Sequence, residues 1–397
     1  MNKKSVPLKL YYITNARIPT EKAHGQQIIR MCREYAHLGF DVHLIVPTRC
    51  NPITQDLFTY YDIPREFEIT YLPTIDALDR SMILKRFLFW VQTLSFFLSV
   101  QRMIITDGII YTRNPGIVWM MKWRRLKTVY ECHNWFGRSV WLALRFLRKC
   151  DCIVTTNTHI KRKFLENGFE NSRLLVAPNS VDLEIFALDG MDKNEALEKI
   201  ALDDSIKEVI YNSKVIMYTG NFHVMGYEKG IEYTMRAVKQ LDRKDVIFIA
   251  IGGSQRDREY YNQRARKLKV SDRVYLLARR SQQELSLFQK MASVLIMPIP
   301  DRANFRYFIS PLKTFEYMAS TRPIIATTLP SITEILNENN SFLISPDNVS
   351  ELTWSIEYVL SHPEESKEKA NCARSAVAQY TWKNRAQKII ERIEQLV

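Results

Sequence analysis

Glycine is scarce in this sequence, and several motifs that depend on glycine are absent. The chain has 12 glycines in 397 residues, well below the average usage of about 7%. It contains no GxxxxGK[ST] run, which excludes a P-loop nucleotidase, and no GxGxxG after the first predicted strand, which weakens a dinucleotide-binding dehydrogenase. The HExxH and GxSxG patterns of zinc and serine hydrolases are also missing.

The six cysteines form neither a CxxC pair nor a zinc-finger spacing. Unpaired cysteines of this kind are typical of small apolar core positions in a reducing cytosol, not of a disulfide framework. We therefore expect no disulfides and no structural zinc.

Long hydrophobic runs are lacking too. The longest apolar segment, residues 87–101, has 15 residues and contains Gln92 and three hydroxyl side chains, so it is too short and too polar to span a bilayer. Its large side chains recur at helical spacing, which is typical of a core stripe: Ile83, Phe87, Trp90, Leu94 and Phe97. The basic residues beside it (Lys85, Arg86, Arg102) also fit a helix lying in a lipid interface, and that alternative remains open.

The opening residues, Met1-Asn2-Lys3-Lys4, resemble the start of a signal peptide. The apolar stretch that follows is short and is broken by Lys9, so we expect a first strand there and not a secretion signal.

Positive charge is abundant and unevenly distributed. The formal net charge is +13, and residues 1–185 account for +10 of it. Between Arg113 and Arg173 there are 13 basic and 4 acidic residues. Such a field suggests a polyanionic partner, although a merely basic surface would look the same. No signature of a nucleic-acid-binding module is present, so we expect no nucleic acid.

Short apolar runs alternate with helical patterns along the whole chain, which predicts parallel sheets covered on both faces. The predicted strands are 9–14, 41–47, 67–73, 109–113, 128–133, 152–157 and 174–178, and then 215–220, 246–252, 274–278, 294–300, 323–327 and 342–345. A helix is predicted over 25–38. We expect an N-terminal domain over 1–186, a linker with a helix over 187–213, a C-terminal domain over 214–380 and a final helix over 381–397 that packs back on the first domain. Both domains are expected to be doubly wound and α/β, with ligands in a cleft between them.

Three local patterns point to a ligand site. Lys229 lies between a strand that ends at Gly220 and the next helix, where its charge adds to that of the helix start. Ser310 is expected to cap a helix that has Pro311 in its first turn, leaving free N–H groups for an anion. Glu316, one and a half turns further, suits the two vicinal hydroxyls of a ribose. Each pattern has a plainer interpretation, namely a solvated lysine or an ordinary amphipathic helix.

In the first half, Arg113 and His133 each end a predicted strand. Ligands of doubly wound sheets lie at such strand ends, although a lone histidine is more often structural.

Taken together, these residues resemble glycosyltransferase family 4, the retaining, nucleotide-sugar-dependent enzymes with a GT-B fold of two facing Rossmann-like domains. The similar segments are PTEKAHG (19–25), YECH (130–133), APNSVD (177–182), KG (229–230), and SPLKTFEYMA (310–319) followed by RPIIAT (322–327). The resemblance implies that His133, Lys229 and Glu316 are the catalytic residues. It implies a donor site formed by Gly25, Gly220, Asn221, Lys229, Ser310, Pro311, Leu312, Lys313 and Glu316, with Arg113 and Asn134 on the acceptor side.

The sequence departs from this family at two positions. Phe308 stands where the first glutamate of the family's E-x7-E motif is expected, and Asn221 stands where an arginine often follows the glycine. Arg302, Arg306 or Lys313 are candidates for the missing positive charge.

The function implied is transfer of a hexosyl group from a UDP- or GDP-sugar to a glycan or lipid-linked acceptor, in cell-envelope polysaccharide biosynthesis. We expect a cytoplasmic protein at the inner face of an anionic membrane, with the nucleotide sugar as co-substrate and no metal or other cofactor, since no DxD-type aspartate pair lies at a strand end. Two alternatives remain open: a GT-B nucleotide-sugar epimerase, and a non-catalytic GT-B partner subunit that binds nucleotide or glycan without turnover.

Overall fold

The computed structural model describes residues 7–76, 85–137, 139–224 and 226–395. Ile83 of the predicted stripe and the Met1-Asn2-Lys3-Lys4 start lie outside these ranges. The chain divides into two compact units, one running to Pro178 and resumed from Trp382, the other formed by Asn179–Thr381.

The first unit is built on a seven-stranded parallel sheet in the order β3-β2-β1-β4-β5-β6-β7. Its central strands are almost wholly buried and apolar, as expected of a parallel sheet covered on both faces. The strands are β1 (Lys9–Ile13), β2 (Asp41–Pro47), β3 (Glu68–Leu72), β4 (Ile109–Thr112), β5 (Lys127–Cys132), β6 (Cys152–Thr155) and β7 (Leu174–Val176).

Helices cover both faces of this sheet. They are α1 (Ala23–His37), α2 (Leu57–Tyr61), α3 (Lys85–Arg102), α4 (Pro115–Trp123), α5 (Val140–Leu147) and α6 (Thr158–Glu166). Because parallel crossovers are right-handed and the strand order reverses between β1 and β4, α1 and α2 lie on one face, and α3, α4, α5 and α6 lie on the other.

The prediction of a core stripe on α3 is wrong. Phe87, Trp90 and Leu94 are largely exposed, and the side of α3 that is buried carries Phe96 and Val100 instead. The helix is apolar around most of its circumference, so periodicity did not identify which side faces the sheet. Within the described ranges, no helix is long and apolar enough to cross a membrane.

The second unit contains a six-stranded parallel sheet in the order β12-β11-β8-β13-β14-β15. A separate antiparallel hairpin, β9 with β10, was not predicted. The strands are β8 (Lys214–Thr219), β9 (His223–Val224), β10 (Tyr227–Glu228), β11 (Val246–Ile251), β12 (Val274–Leu277), β13 (Val294–Met297), β14 (Ile324–Thr327) and β15 (Phe342–Ile344). The helices are α7 (Leu183–Phe186), α8 (Lys193–Lys199), α9 (Asp204–Asn212), α10 (Ile231–Gln240), α11 (Gln255–Leu268), α12 (Gln282–Met291), α13 (Ala303–Phe308), α14 (Leu312–Ala319), α15 (Pro330–Thr333), α16 (Val349–Ser361) and α17 (Pro363–Val377).

The segment 187–213 is an integral part of the second unit. It carries both α8 and α9, and Leu197, Ile200 and Ile210 are buried in the core beneath them. An Asp192–Glu195 capping box fixes the start of α8. The last helix, α18 (Trp382–Glu394), belongs to the first unit, where it packs against α1.

The predicted fold class of two parallel Rossmann-like domains is confirmed, since every strand of both parallel sheets coincides with a predicted one to within a few residues.

Candidate functional site

In the second unit, a loop from the end of β8 to the start of α10 carries Lys229. Gly230 caps α10 with a φ of +92°, and a Cβ there would lie 2.0 Å from the carbonyl oxygen of Pro298. Only glycine tolerates both conditions. The loop is therefore held against the end of β13, and the backbone N–H of Lys229 donates to the carbonyl of Phe222 at 2.9 Å.

The Lys229 side chain is buried, with its Nζ 3.7 Å from the centre of the Phe305 ring. Burial lowers the pKa of Lys229 from 10.5 to about 8, because the charged ammonium loses hydration that the ring only partly replaces. An anion placed beside Lys229 would restore that stabilisation.

Lys313 brings a second positive charge to the same place. A Cβ at Gly220 would lie 3.2 Å from Lys313 Nζ, and this ammonium is 3.4 Å from the centre of the Tyr218 ring. Burial and then repulsion from Lys229 hold the pKa of Lys313 well below its usual range. Two lysine amines whose charged forms are disfavoured by burial are suited to an anion with more than one charge, which would stabilise both ammonium forms.

The predicted capping role of Ser310 is wrong. The N-cap of α14 is Pro311, which makes no side-chain cap, and Leu312 is the first helical residue. Ser310 instead bonds to Asn179, whose backbone N–H donates to its hydroxyl at 3.2 Å and whose Nδ2 donates to its carbonyl at 2.5 Å. Pro311 keeps the backbone extended directly before α14. The hydroxyl of Ser310 therefore contacts Asn179, the first residue of the second unit, and not the first turn of the helix.

Glu316 lies on α14 within the same cluster. Burial raises the pKa of Glu316 to about 7, against the opposing effects of Lys313 and of a hydrogen bond from Gln289. The neighbouring Tyr317 anchors α14 to the end of β8, because its hydroxyl accepts from the backbone N–H of Thr219 at 2.8 Å. We call Gly220, Lys229, Gln289, Lys313 and Glu316 the second-unit cluster.

Asn221 is also at this strand end. It is contacted by a positively charged residue, Arg279, that the sequence did not indicate. Arg279, in the loop after β12, donates from Nη2 to Asn221 Oδ1 at 2.7 Å. Of the predicted sources of charge, Lys313 is in place. Arg306 is paired with Asp301, and Arg302 lies 3.6 Å from Asp347.

In the first unit, residues from three elements meet at the carboxyl end of the sheet. Arg113 follows β4, His133 follows β5 and His24 is in the first turn of α1. Burial, and then the charge of Arg113, lowers the pKa of both histidines to about 4. Arg113 and His133, predicted separately, are thus brought together, and His24 is a further member. Both imidazoles are neutral at pH 7.

A buried carboxylate, Glu131, supports the cluster formed by His24, Arg113 and His133 in the first unit by contacting His133. It lies 3.1 Å from Nε2 of His133, and it accepts from Tyr12 Oη at 3.1 Å and from Gln27 Nε2 at 2.8 Å. Arg385 of α18 is bound to it, and both side chains are almost fully buried. Burial acts to raise the pKa of Glu131, but the charge of Arg385, the interaction with His133 and the charge of Arg113 together outweigh it and keep that pKa well below its usual range.

Gly25 and Asn134 complete the predicted first-unit residues. A Cβ at Gly25 would lie 2.2 Å from the Tyr61 hydroxyl, which bonds the backbone of Thr20 at both its N–H and its carbonyl. Gly25 thus allows Tyr61 to fasten the 19–24 loop at the start of α1. Asn134 is exposed, directly after His133.

A small cavity of about 220 Å³ opens in the first unit where β1, β2 and β3 end. Its lining is polar and includes Arg17, Arg49, Asn51 and Gln55, with Tyr71 at one side. Arg49 donates to Asn15 Oδ1 at 2.5 Å. Among the residues that the structure describes, no group of three or more histidine, cysteine or acidic side chains is placed to hold a metal ion.

Two family profiles match the chain in succession. The profile described as Glycosyltransferase Family 4 matches residues 25–185, and the one described as Glycosyl transferases group 1 matches residues 213–362. The chain belongs to glycosyltransferase family 4. This confirms the family predicted from the strand-end residues, and with it the prediction of a glycosyltransferase at the level of the family.

One individual glycosyltransferase agrees with this assignment. An uncharacterized glycosyltransferase of Methanocaldococcus jannaschii is 26% identical over 181 residues, 45% of this chain. The aligned part spans only 44% of that relative's length.

Solved structures show the same fold at low identity. HepE of Anabaena, solved in complex with UDP, has a TM-score of 0.74 at 13% identity and covers 98% of this chain and 100% of its own. Sucrose-phosphate synthase of Thermosynechococcus elongatus has a TM-score of 0.73 at 16% identity, with coverage of 98% and 99%. The fold of this family-4 chain is therefore that of GT-B glycosyltransferases.

Proposed function

We propose that this chain transfers a hexosyl group from a nucleoside-diphosphate sugar to a glycan or lipid-linked acceptor, with retention of anomeric configuration. The observation that carries the proposal is the pair Lys229 and Lys313 at the end of β8, both with a pKa lowered by burial. A diphosphate is the ligand class that supplies the counter-charge this pair lacks.

In the proposed reaction, the bond between the anomeric carbon and the diphosphate oxygen breaks, and the acceptor hydroxyl forms the new bond on the same face. The hydroxyl proton passes to a departing phosphate oxygen. Lys229, Lys313 and the N–H groups at the start of α14 stabilise the diphosphate as its negative charge develops. In this proposal those groups, with no metal, neutralise the leaving group.

Glu316 is proposed to hold the ribose hydroxyls. It is buried next to Gln289 and Lys313, and its carboxylate, which is half ionised near pH 7, would accept hydrogen bonds from the hydroxyls of an incoming diol. Of the nucleotides, UDP is favoured because HepE, which shares the fold, was solved with UDP and with UDP-glucose.

In the first unit, we propose that neutral His133 bonds a sugar hydroxyl, with Glu131 fixing its ring. Arg113 and the polar cavity beside Arg49 are proposed for an acidic acceptor, which in cell-envelope polysaccharide synthesis is a lipid-linked glycan at the inner face of an anionic membrane. The charge of +10 on residues 1–185 supports this.

The test is thermal stabilisation by UDP, GDP, ADP and their sugars, followed by product analysis with the nucleotide that binds. We expect stabilisation by one nucleotide class, lost in Glu316→Ala and Lys229→Ala and kept in Lys239→Ala, an exposed lysine of α10. Both cluster variants are also expected to lose transfer while remaining folded. Full activity in both would contradict the site assignment.

The second candidate is a partner subunit that binds nucleotide without turnover, and Phe308 at the position of the family's first glutamate favours it. It predicts nucleotide stabilisation with no product from any acceptor. A nucleotide-sugar epimerase, in contrast, predicts product from the donor alone.

A further inference from the structure

One face of the first unit carries large apolar side chains that are exposed within the part of the chain that the structure describes. On α3, four residues spaced three or four apart form an exposed stripe. Their exposed fractions are Phe87 63%, Trp90 62%, Leu94 60% and Leu98 47%. Single exposed apolar residues are ordinary, but a continuous stripe of this kind marks an interaction surface.

The neighbouring helices extend the stripe with tryptophans. Trp123 of α4 is 76% exposed and Trp141 of α5 is 66% exposed, and Trp119 is half exposed between them. The Trp119 ring packs on Trp123 and on Phe146 of α5, with ring centres 5.7 and 5.4 Å apart.

The three helices form one surface. They cover the same side of the sheet, as the right-handed crossovers require. Phe97 of α3 packs on Gly116 of α4, where a Cβ would lie 2.6 Å from its ring. Arg124, after α4, donates to the Met103 carbonyl at 2.7 Å and also to that of Gln101.

The charge on this surface is predominantly positive, although Lys122 of α4 is paired with Asp151. Helices α3, α4 and α5 contain no acidic residue. From residue 85 to residue 149 there are 12 basic residues and only two acidic ones, Asp107 and Glu131, and Glu131 is buried against Arg385. We call the exposed side of helices α3, α4 and α5, together with the basic residues on and between these helices, the apolar–basic face.

We infer that the apolar–basic face docks on an anionic lipid bilayer, with its tryptophan and phenylalanine side chains inserted among the headgroups. Tryptophan, lysine and arginine suit the boundary between lipid and water, because each has an apolar part that lies among the lipids and a polar part that stays in water. A second copy of this chain fits poorly, because it would oppose one basic face to another. This inference rests on the proposed lipid-linked acceptor, and it names the surface with which the protein would bind the membrane that carries this acceptor.

Two forces then contribute, and they respond differently to salt. Attraction between the basic residues and anionic lipids weakens as ionic strength rises, whereas the inserted aromatic side chains do not depend on it. Docking is therefore expected to weaken with salt but to keep a salt-resistant part that is lost with the α3 stripe.

The experiment is flotation with vesicles of phosphatidylcholine alone or mixed with phosphatidylglycerol, at low and high salt. The test variant is Trp90→Gln/Leu94→Gln, whose positions are exposed and whose fold should be intact. The matched control is Trp354→Gln on α16 of the second unit, a tryptophan that is 61% exposed. We expect binding to the mixed vesicles, a loss of about tenfold or more in the double variant, and no change in the control.

Nucleotide-induced thermal shifts on the same preparations separate the two proposals. A normal shift with no binding to either vesicle overturns the membrane inference and leaves the donor site standing. Binding that the double variant retains in full also overturns it, as does a concentration-dependent dimer that the double variant abolishes. Vesicle binding without any thermal shift on addition of nucleotide supports docking of the apolar–basic face on membranes and counts against the proposed transfer reaction.

Discussion

Replacing Lys229 with methionine is expected to stabilise the free protein while destroying its affinity for nucleotide. Lys229 has a pKa of about 8 in place of 10.5, and each unit corresponds to about 1.4 kcal/mol. At pH 7 the buried ammonium therefore destabilises the folded chain by about 3 kcal/mol. Loss of the contact with the Phe305 ring offsets about 1 kcal/mol of the gain. The net gain is about 2 kcal/mol.

The pH dependence follows from the same pKa. Between about 8 and 10.5 the unfolded chain binds a proton at Lys229 that the folded chain has lost, so stability rises with pH across that window. Below pH 8 both states are protonated and the destabilisation is fully present. In Lys229→Met this contribution to the rise should disappear.

The assay is differential scanning calorimetry of the nucleotide-free protein at pH 7 and pH 10, with Lys239→Met as the exposed control. For a unit of this size, a gain of about 2 kcal/mol raises Tm by roughly 4–8 °C. Addition of UDP should raise the Tm of the wild type and of the control but not that of Lys229→Met. A variant less stable than the wild type at pH 7, or one still stabilised by UDP, would refute the reasoning.

Three further predictions concern the other buried groups. Burial raises the pKa of Glu316 to about 7, so the affinity for the donor, measured by titration calorimetry, should fall as pH drops from 8 to 6. Glu316→Gln should bind the donor about tenfold more weakly than the wild type at pH 8. The same pH dependence of affinity in the variant as in the wild type would contradict this. His133, with a pKa of about 4, should show no titration between pH 5.5 and 8 in its imidazole NMR signals, and a midpoint near 6.5 would count against its burial beside Arg113. Arg385→Met leaves the Glu131 carboxylate buried without the charge of Arg385, so chemical denaturation should show a loss of about 3–5 kcal/mol in the first unit. The double variant Glu131→Gln/Arg385→Met should recover part of that loss, and equal losses in both variants would contradict a charge-based cause.

The sheets could be predicted because parallel strands are continuous apolar runs. The strand Val246–Ile251 is buried at every position, so its sequence carries a signal that needs no knowledge of its neighbours. The strand ends were predicted slightly long at Arg113 and His133, where the backbone has already left the ladder.

The α3 helix shows where local patterns fail. Both of its sides are apolar, and the sheet selected the side with Phe96 and Val100. The other stripe, with Trp90, was left in solvent, and nothing in the spacing of the residues distinguished the two.

The site residues divide in the same way. Lys229, Lys313 and Glu316 could be proposed because their signals are local: Lys229 lies just before the start of α10, and Lys313 and Glu316 both lie on α14. Glu131 and Arg385 could not, since they are 254 residues apart in sequence. The contact between Arg279 and Asn221 spans 58 residues and depends on the neighbouring positions of β8 and β11 and β12 in the sheet.

The return of α18 to the first unit has a consequence for synthesis on the ribosome. The strands of that unit are complete by Val176, but Arg385, the partner of buried Glu131, emerges only after the whole of Asn179–Thr381 has been made. At 5–20 residues per second this interval is about 10–40 s. During it, Glu131 lacks the charge of Arg385 that it is paired with in the folded chain, so we expect the first unit to reach its full stability only once α18 has been synthesised.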